Sequence, residues 1–111
     1  MICKRWDVVR MTFPFLEGHD EKKRPALVVS TDALLSNYRV LWAIMITTAK
    51  GGVLAEDIAI SDSSAAGLPE DCVIRPSRLF TISQDQLDRR LGTIRPQERN
   101  AVAAYLKRHV P

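Results

Sequence analysis

The chain has 111 residues, a net charge of +3, 46% apolar residues and 26% charged residues. That length and balance describe one globular domain, residues 1–111, with a single core, and they exclude a disordered chain. No apolar run is long enough to span a bilayer and no secretion pattern opens the chain, so the expected compartment is the cytoplasm.

Residues 7–13 read as a first strand, with Val8, Val9 and Phe13 apolar and Pro14 as its stop. Residues 16–23 are polar and charged and contain Gly18, which reads as a loop. Next, the cations Lys22, Lys23 and Arg24 end abruptly at Pro25, and Ala26, Leu27, Val28 and Val29 follow as an unbroken apolar run. Proline has no N–H to give a ladder and fits a strand's first residue, so residues 25–30 read as a second strand. Arg24 then stands at the strand's mouth, where a planar, always-charged fork suits a phosphate. A solvated charge run closing a hairpin is the plainer reading of Lys-Lys-Arg alone.

Residues 31–37 suit one helical turn. Residues 39–47 are apolar on both faces and read as a central third strand. Gly51-Gly52 breaks it, residues 55–60 alternate weakly as a fourth strand, and residues 61–67 read as a short helical turn stopped by Gly67. Residues 72–75 and 79–82 read as two more strands parted at Pro76. Ser83, with Gln86 three residues on, is a capping box for a short helix through Leu87. Pro96 opens a last helix to about Arg108, with Ala101, Val102, Tyr105, Leu106 and Val110 as its buried face. Many short strands and a terminal helix imply a small antiparallel barrel, partly open, with one helix packed on it.

Charge is unevenly spread. Residues 75–111 carry eight Arg/Lys against three acids, a local +5 that leaves −2 on the rest. Such a third attracts polyanions, although a basic helix is as often just a solvated surface. Cys3 and Cys72 lack metal or redox spacing and read as structural thiols. His19 and His109 have no ligand-spaced partner, so neither a metal nor a cofactor is expected.

Several pieces recur together in order: Trp6-Asp7-Val8-Val9, Lys22-Lys23-Arg24-Pro25-Ala26-Leu27-Val28, Ile46-Thr47-Thr48, Gly67-Leu68-Pro69, Val73-Ile74-Arg75-Pro76, Phe80-Thr81-Ile82 and Leu91-Gly92. In this order the chain resembles the MazF/PemK toxins of bacterial toxin–antitoxin systems, from about Lys4 to the final helix. Trp6 departs from the pattern, standing where the family usually has glycine; an aromatic there is expected to shield the strand's start. The resemblance implies a mainly β fold, a small SH3-like, CcdB-like antiparallel barrel with a C-terminal α-helix. It implies a homodimer that cleaves single-stranded RNA without metal and is neutralised by a cognate antitoxin protein, with no role at a membrane.

Metal-free RNA cleavage needs a group that accepts the 2′-OH proton, donors that stabilise the phosphorane, and an acid for the leaving 5′ oxygen. The chain offers arginines beside hydroxyls: Arg24, Thr47, Thr48, Arg75, Ser77 and Arg78. The resemblance carries the catalytic arginine onto Arg24 and the threonine onto Thr47, with Thr48 as its neighbour. Thr47 and Thr48 read equally well as a strand cap. Arg75 matches an arginine that some members place two residues before an aspartate. Here that second position is Ser77, a far weaker base. Glu17, His19 or Asp20 in the first loop would substitute, while His19 also reads as an exposed loop residue. Phe15 at the loop base would stack on an RNA base, or belong to the core. The competing functions are a non-catalytic toxin on the same barrel, like the CcdB proteins that poison gyrase, and a decayed toxin-like domain.

Overall fold

Strand-forming β-branched and aromatic residues crowd Val40–Thr48, and that segment lies inside the sheet, paired on both sides. The computed structural model describes residues 3–13 and 23–110. Its strands are β1 (Asp7–Thr12), β2 (Lys23–Val28), β3 (Val40–Thr48), β4 (Ile58–Ala59), β5 (Cys72–Ser83) and β6 (Leu87–Thr93). Two helices, α1 (Asp32–Tyr38) and α2 (Pro96–His109), complete the elements, apart from two single 3-10 turns. All pairs are antiparallel, in the order β4-β5-β3-β2-β1-β6, with the short β4 and β6 as the two edges. The fold is the expected antiparallel sheet with a C-terminal helix, left open between those edges.

Alternation along the strands builds a core on each face. Val8, Leu27, Ile44, Ile46, Cys72 and Ile74 meet Ile60, Ala66, Leu68 and Val102 of α2 on one face. Val9, Met11, Phe13, Ala26, Val28, Leu41, Ala43 and Ile82 pack together on the other. At the start of α2 the buried Glu98 accepts hydrogen bonds from the Ser61 hydroxyl (2.8 Å) and the Arg95 amide (3.4 Å). That carboxylate caps the helix and ties it to the segment after β4.

Several elements differ from the sequence reading. β2 begins at Lys23, two residues before Pro25. β4 is only two residues long, and residues 63–67 form successive turns in place of a helix. The two strands expected around Pro76 are one twelve-residue strand. Its register against β3 jumps between Met45↔Arg75 and Ile44↔Leu79, so Pro76, Ser77 and Arg78 stand out of the ladder as a bulge. A proline is tolerated there because a bulged residue owes the ladder no N–H. β6 has no counterpart in the sequence reading, which passes from Leu87 to Pro96; its pairing to β1 makes it an edge, where the exposed Asp88, Arg89 and Arg90 meet solvent. In α2, Val102 is buried as expected, but Val110 is exposed because it lies past the helix end.

Trp6 has a positive φ of 76°, a left-handed conformation that side chains resist by roughly 1–2 kcal/mol. That accounts for the glycine usual at this position. The bend lets the Trp6 amide donate to the Val28 carbonyl (2.7 Å), and the ring packs against the core under the Arg5 guanidinium, 4.6 Å away. A second constraint arises where the turn at 63–67 crosses β6. A Cβ on Gly92 would overlap the Ala65 carbonyl oxygen, and one on Gly67 (φ +74°) would overlap that of Leu91. The two backbones touch there, and Thr93 N–H donates to Ala65 (3.1 Å).

Candidate active site

The antiparallel pairing of β2 and β3 puts Arg24 and Thr47 near the same end of those strands. β2 pairs with β3 at Val28↔Ala43, Leu27↔Ile44 and Ala26↔Met45, and there the ladder stops. The next residue is Pro25, which has no N–H to continue it. Carried on past the end of the ladder, the same register would bring Arg24, two residues beyond Ala26, level with Thr47 and onto the same face of the sheet. Arg24 is exposed, and among the described residues no hydrogen bond or ion pair engages its side chain. Thr47 is half-buried and laddered on its other side to Val73. A strand end that carries a hydroxyl and a guanidinium with no carboxylate partner among the described residues can bind a phosphodiester.

The remaining predicted residues divide. Thr48 pairs with Cys72 and therefore lies on the opposite face from Thr47. Ser77 and Arg78 are exposed on the β5 bulge, and among the described residues no hydrogen bond or ion pair ties down Arg78. His19 and Phe15 lie outside the described residues, as do Glu17 and Asp20.

Arg75 is not a free cation. Its Nε donates to Asp57 Oδ1 (3.2 Å), its Nη2 to Asp57 Oδ2 (2.9 Å) and to the Gly52 carbonyl (3.2 Å). The Arg75 hydrogen bonds hold the Asp57 carboxyl below the usual carboxylate range. Sequence pattern gives Asp57 no distinguishing mark, because it sits in a weakly alternating stretch after Gly51-Gly52.

The basic C-terminal third is neutralised in much the same way. Arg90 pairs with Asp7, Arg95 with Asp62 and Arg108 with Glu56, so acids from the first 74 residues offset most of the local excess. Arg10 and Lys23 share Asp88 (3.5 and 3.3 Å) beside Arg24. Among the described residues, no three His, Cys, Asp or Glu side chains gather as they would around a metal ion, and no helix is long and apolar enough to cross a membrane. On the α2 side of the sheet, a groove of about 590 Å³ is lined by Val29, Trp42, Leu79, Leu106, Lys107 and Val110. Trp42 is 47% exposed there.

Solved structures of similar fold include MazF proteins. MazF from Deinococcus radiodurans superposes with a TM-score of 0.79 at 17% identity, covering 99% of this chain and 97% of that one. The Mycobacterium tuberculosis toxin MazF-mt6 gives 0.72 at 19% identity, covering 92% and 93%. A mycobacterial endoribonuclease in complex with its cognate antitoxin gives 0.72 at 21% identity, covering 96% and 90%. No curated protein matches the sequence. The family model of PemK-like, MazF-like toxins of type II toxin–antitoxin systems matches residues 4–110. With almost the whole chain matched and the fold in agreement, the protein belongs to the PemK-like, MazF-like toxin family.

Proposed function

We propose that the protein is the toxin of a toxin–antitoxin pair and acts in the cytoplasm as a metal-independent, sequence-selective endoribonuclease. Its substrate is single-stranded RNA, messenger RNA included, and growth inhibition follows from its loss. What supports this reading is the β2–β3 register, which stops at Ala26↔Met45 before Pro25 and, carried on, would level Arg24 with Thr47. Family membership and the endoribonuclease of like fold support it.

In this mechanism the ribose 2′-oxygen attacks phosphorus and the 5′-oxygen leaves. The negative charge that gathers on the non-bridging oxygens is met by the Arg24 guanidinium and the Thr47 hydroxyl. Arg78 and Ser77 on the bulge, with Phe15, hold the RNA strand, while Thr48, on the other face of the sheet, takes no part. Ser77 is too weak a base to take the 2′-OH proton near neutral pH, so Glu17, His19 or Asp20 of the first loop takes it and, through solvent, a proton is returned to the leaving 5′ oxygen. The products end in a 2′,3′-cyclic phosphate and a 5′-hydroxyl. Incubating purified protein with mixed-sequence single-stranded RNA should yield these ends with or without excess chelator. Cleavage that chelator abolishes overturns the metal-free mechanism, and RNA left whole in both arms favours a non-catalytic or decayed toxin.

The proposed assembly is a two-fold homodimer, since isologous pairing would join two such strand ends into one RNA channel. Light scattering at micromolar concentration should return twice the chain mass; a monomer mass overturns it. The proposed antitoxin is an acidic segment that folds on binding and covers the Arg24/Thr47 groove, its carboxylates competing with phosphates for Arg24. The antitoxin bound in the mycobacterial structure supports a protein partner.

A further inference from the structure

After Thr48 the chain turns through Ala49–Gly51 and runs as an exposed loop to β4. One side chain holds both ends of that loop. From β5, Arg75 reaches Asp57 through Nε and Nη2, and the same Nη2 reaches the Gly52 carbonyl at 3.2 Å. Asp57 in turn accepts the Leu54 N–H at 2.7 Å, and the Asp57 N–H donates to the Leu54 carbonyl at 3.1 Å, closing the turn. Glu56 is tied separately to Arg108 at the end of α2 (2.9 Å).

Arg75 opposes Met45 and Thr47 opposes Val73, so Arg75 and Thr47 are diagonal neighbours on one face, roughly 7–8 Å apart by ordinary sheet geometry. Arg75 nevertheless turns towards the loop. The Asp57 side chain is only 2% exposed and that of Arg75 19%. If Arg75 swung onto a phosphate, the Asp57 carboxylate would lose its bidentate partner and keep only the Leu54 N–H, and the loop would lose the Gly52 tie as well. Arg24, with no carboxylate attached among the described residues, faces no such penalty.

We propose that Arg75 and Asp57 form a positioning pair that fixes loop 52–57, and through it the Thr47 end of β3, without either residue touching RNA. This rests on the endoribonuclease reading and adds to it a residue, Asp57, and a role for Arg75 that differs from phosphate binding. The pair acts on geometry, so it should alter turnover and leave substrate affinity alone.

The experiment compares Asp57→Asn, Arg75→Gln, Arg75→Lys and the Asp57→Asn/Arg75→Gln double variant, using an oligoribonucleotide that the wild type cleaves. Each single variant should lower kcat about ten- to a hundredfold, the range seen for small misplacements, with KM and its salt dependence unchanged. The double variant should be no slower than either single one, and lysine, which has no fork, should not rescue. Hydrogen exchange at the Leu54 and Asp57 amides should speed up in every variant. Arg75→Gln that raises KM and flattens the salt dependence, while Asp57→Asn does neither, overturns the proposal in favour of direct RNA contact. Exchange unchanged from wild type also overturns it. A wild-type protein that cuts no RNA removes the endoribonuclease reading instead; the exchange measurement then still decides whether the pair holds the loop.

Discussion

Arg24→Ala is expected to fold normally and to cleave RNA about 10²–10³-fold more slowly than the wild type, the effect of removing one preorganised oxyanion donor, roughly 3 kcal/mol. Folding is spared because Arg24 is exposed and, among the described residues, its side chain holds nothing in place. Thr47→Ala removes the hydroxyl at the same strand end and should be comparably severe. Ser77→Ala should change the rate little, since an exposed serine on a bulge is no base near neutral pH. Ser77→Asp should keep or raise the rate. Cleavage rates, with each fold checked by circular dichroism, give the order. A folded Arg24→Ala protein that cuts at the wild-type rate would falsify this active-site assignment.

Gly92→Ala should be the most destabilising single-methyl change in the β6 region, costing about 3 kcal/mol, the upper end of ordinary overpacking. The added Cβ meets the backbone of Ala65 and Ala66, not the movable tip of a side chain, so relief requires the turn to lift off β6. Lifting it stretches the Thr93–Ala65 hydrogen bond and disturbs Ala66 and Leu68, both in the α2-side core. Urea denaturation should show a lower midpoint with an unchanged slope. A midpoint within error of the wild type would mean that the turn yields freely.

The central strand, the helix caps and the Arg24–Pro25 punctuation were legible because each rests on local chemistry. β3 is apolar from Val40 to Ile46, the Ser83 capping box is present, and the β2–β3 ladder ends just before Pro25. β6 was illegible because an edge strand whose exposed positions hold Asp88, Arg89 and Arg90 carries no apolar period. β5 was split because its alternation breaks: Ile74 and Ile82 are an even number of residues apart, yet they join opposite cores. At the site, the family pattern named Arg24 and Thr47, and the antiparallel pairing of β2 and β3 puts the two residues near the same end of those strands. Arg75 reads as one more available cation in sequence. Only the fold brings Asp57, eighteen residues earlier, against it.

The three residues of the β5 bulge behave as a removable cassette. Arg75 and Leu79 oppose Met45 and Ile44, which are consecutive on β3, so splicing Arg75 directly to Leu79 would close the ladder with every other cross-strand pair kept. Loss of one or two residues would instead leave a remainder to be accommodated. The sheet therefore constrains residues 76–78 mainly through the buried ring of Pro76, while Ser77 and Arg78 are free to be rewritten without cost to the scaffold. Substitutions at Ser77 and Arg78 would therefore redraw the surface of this corner while the β3–β5 pairs on either side stay as they are.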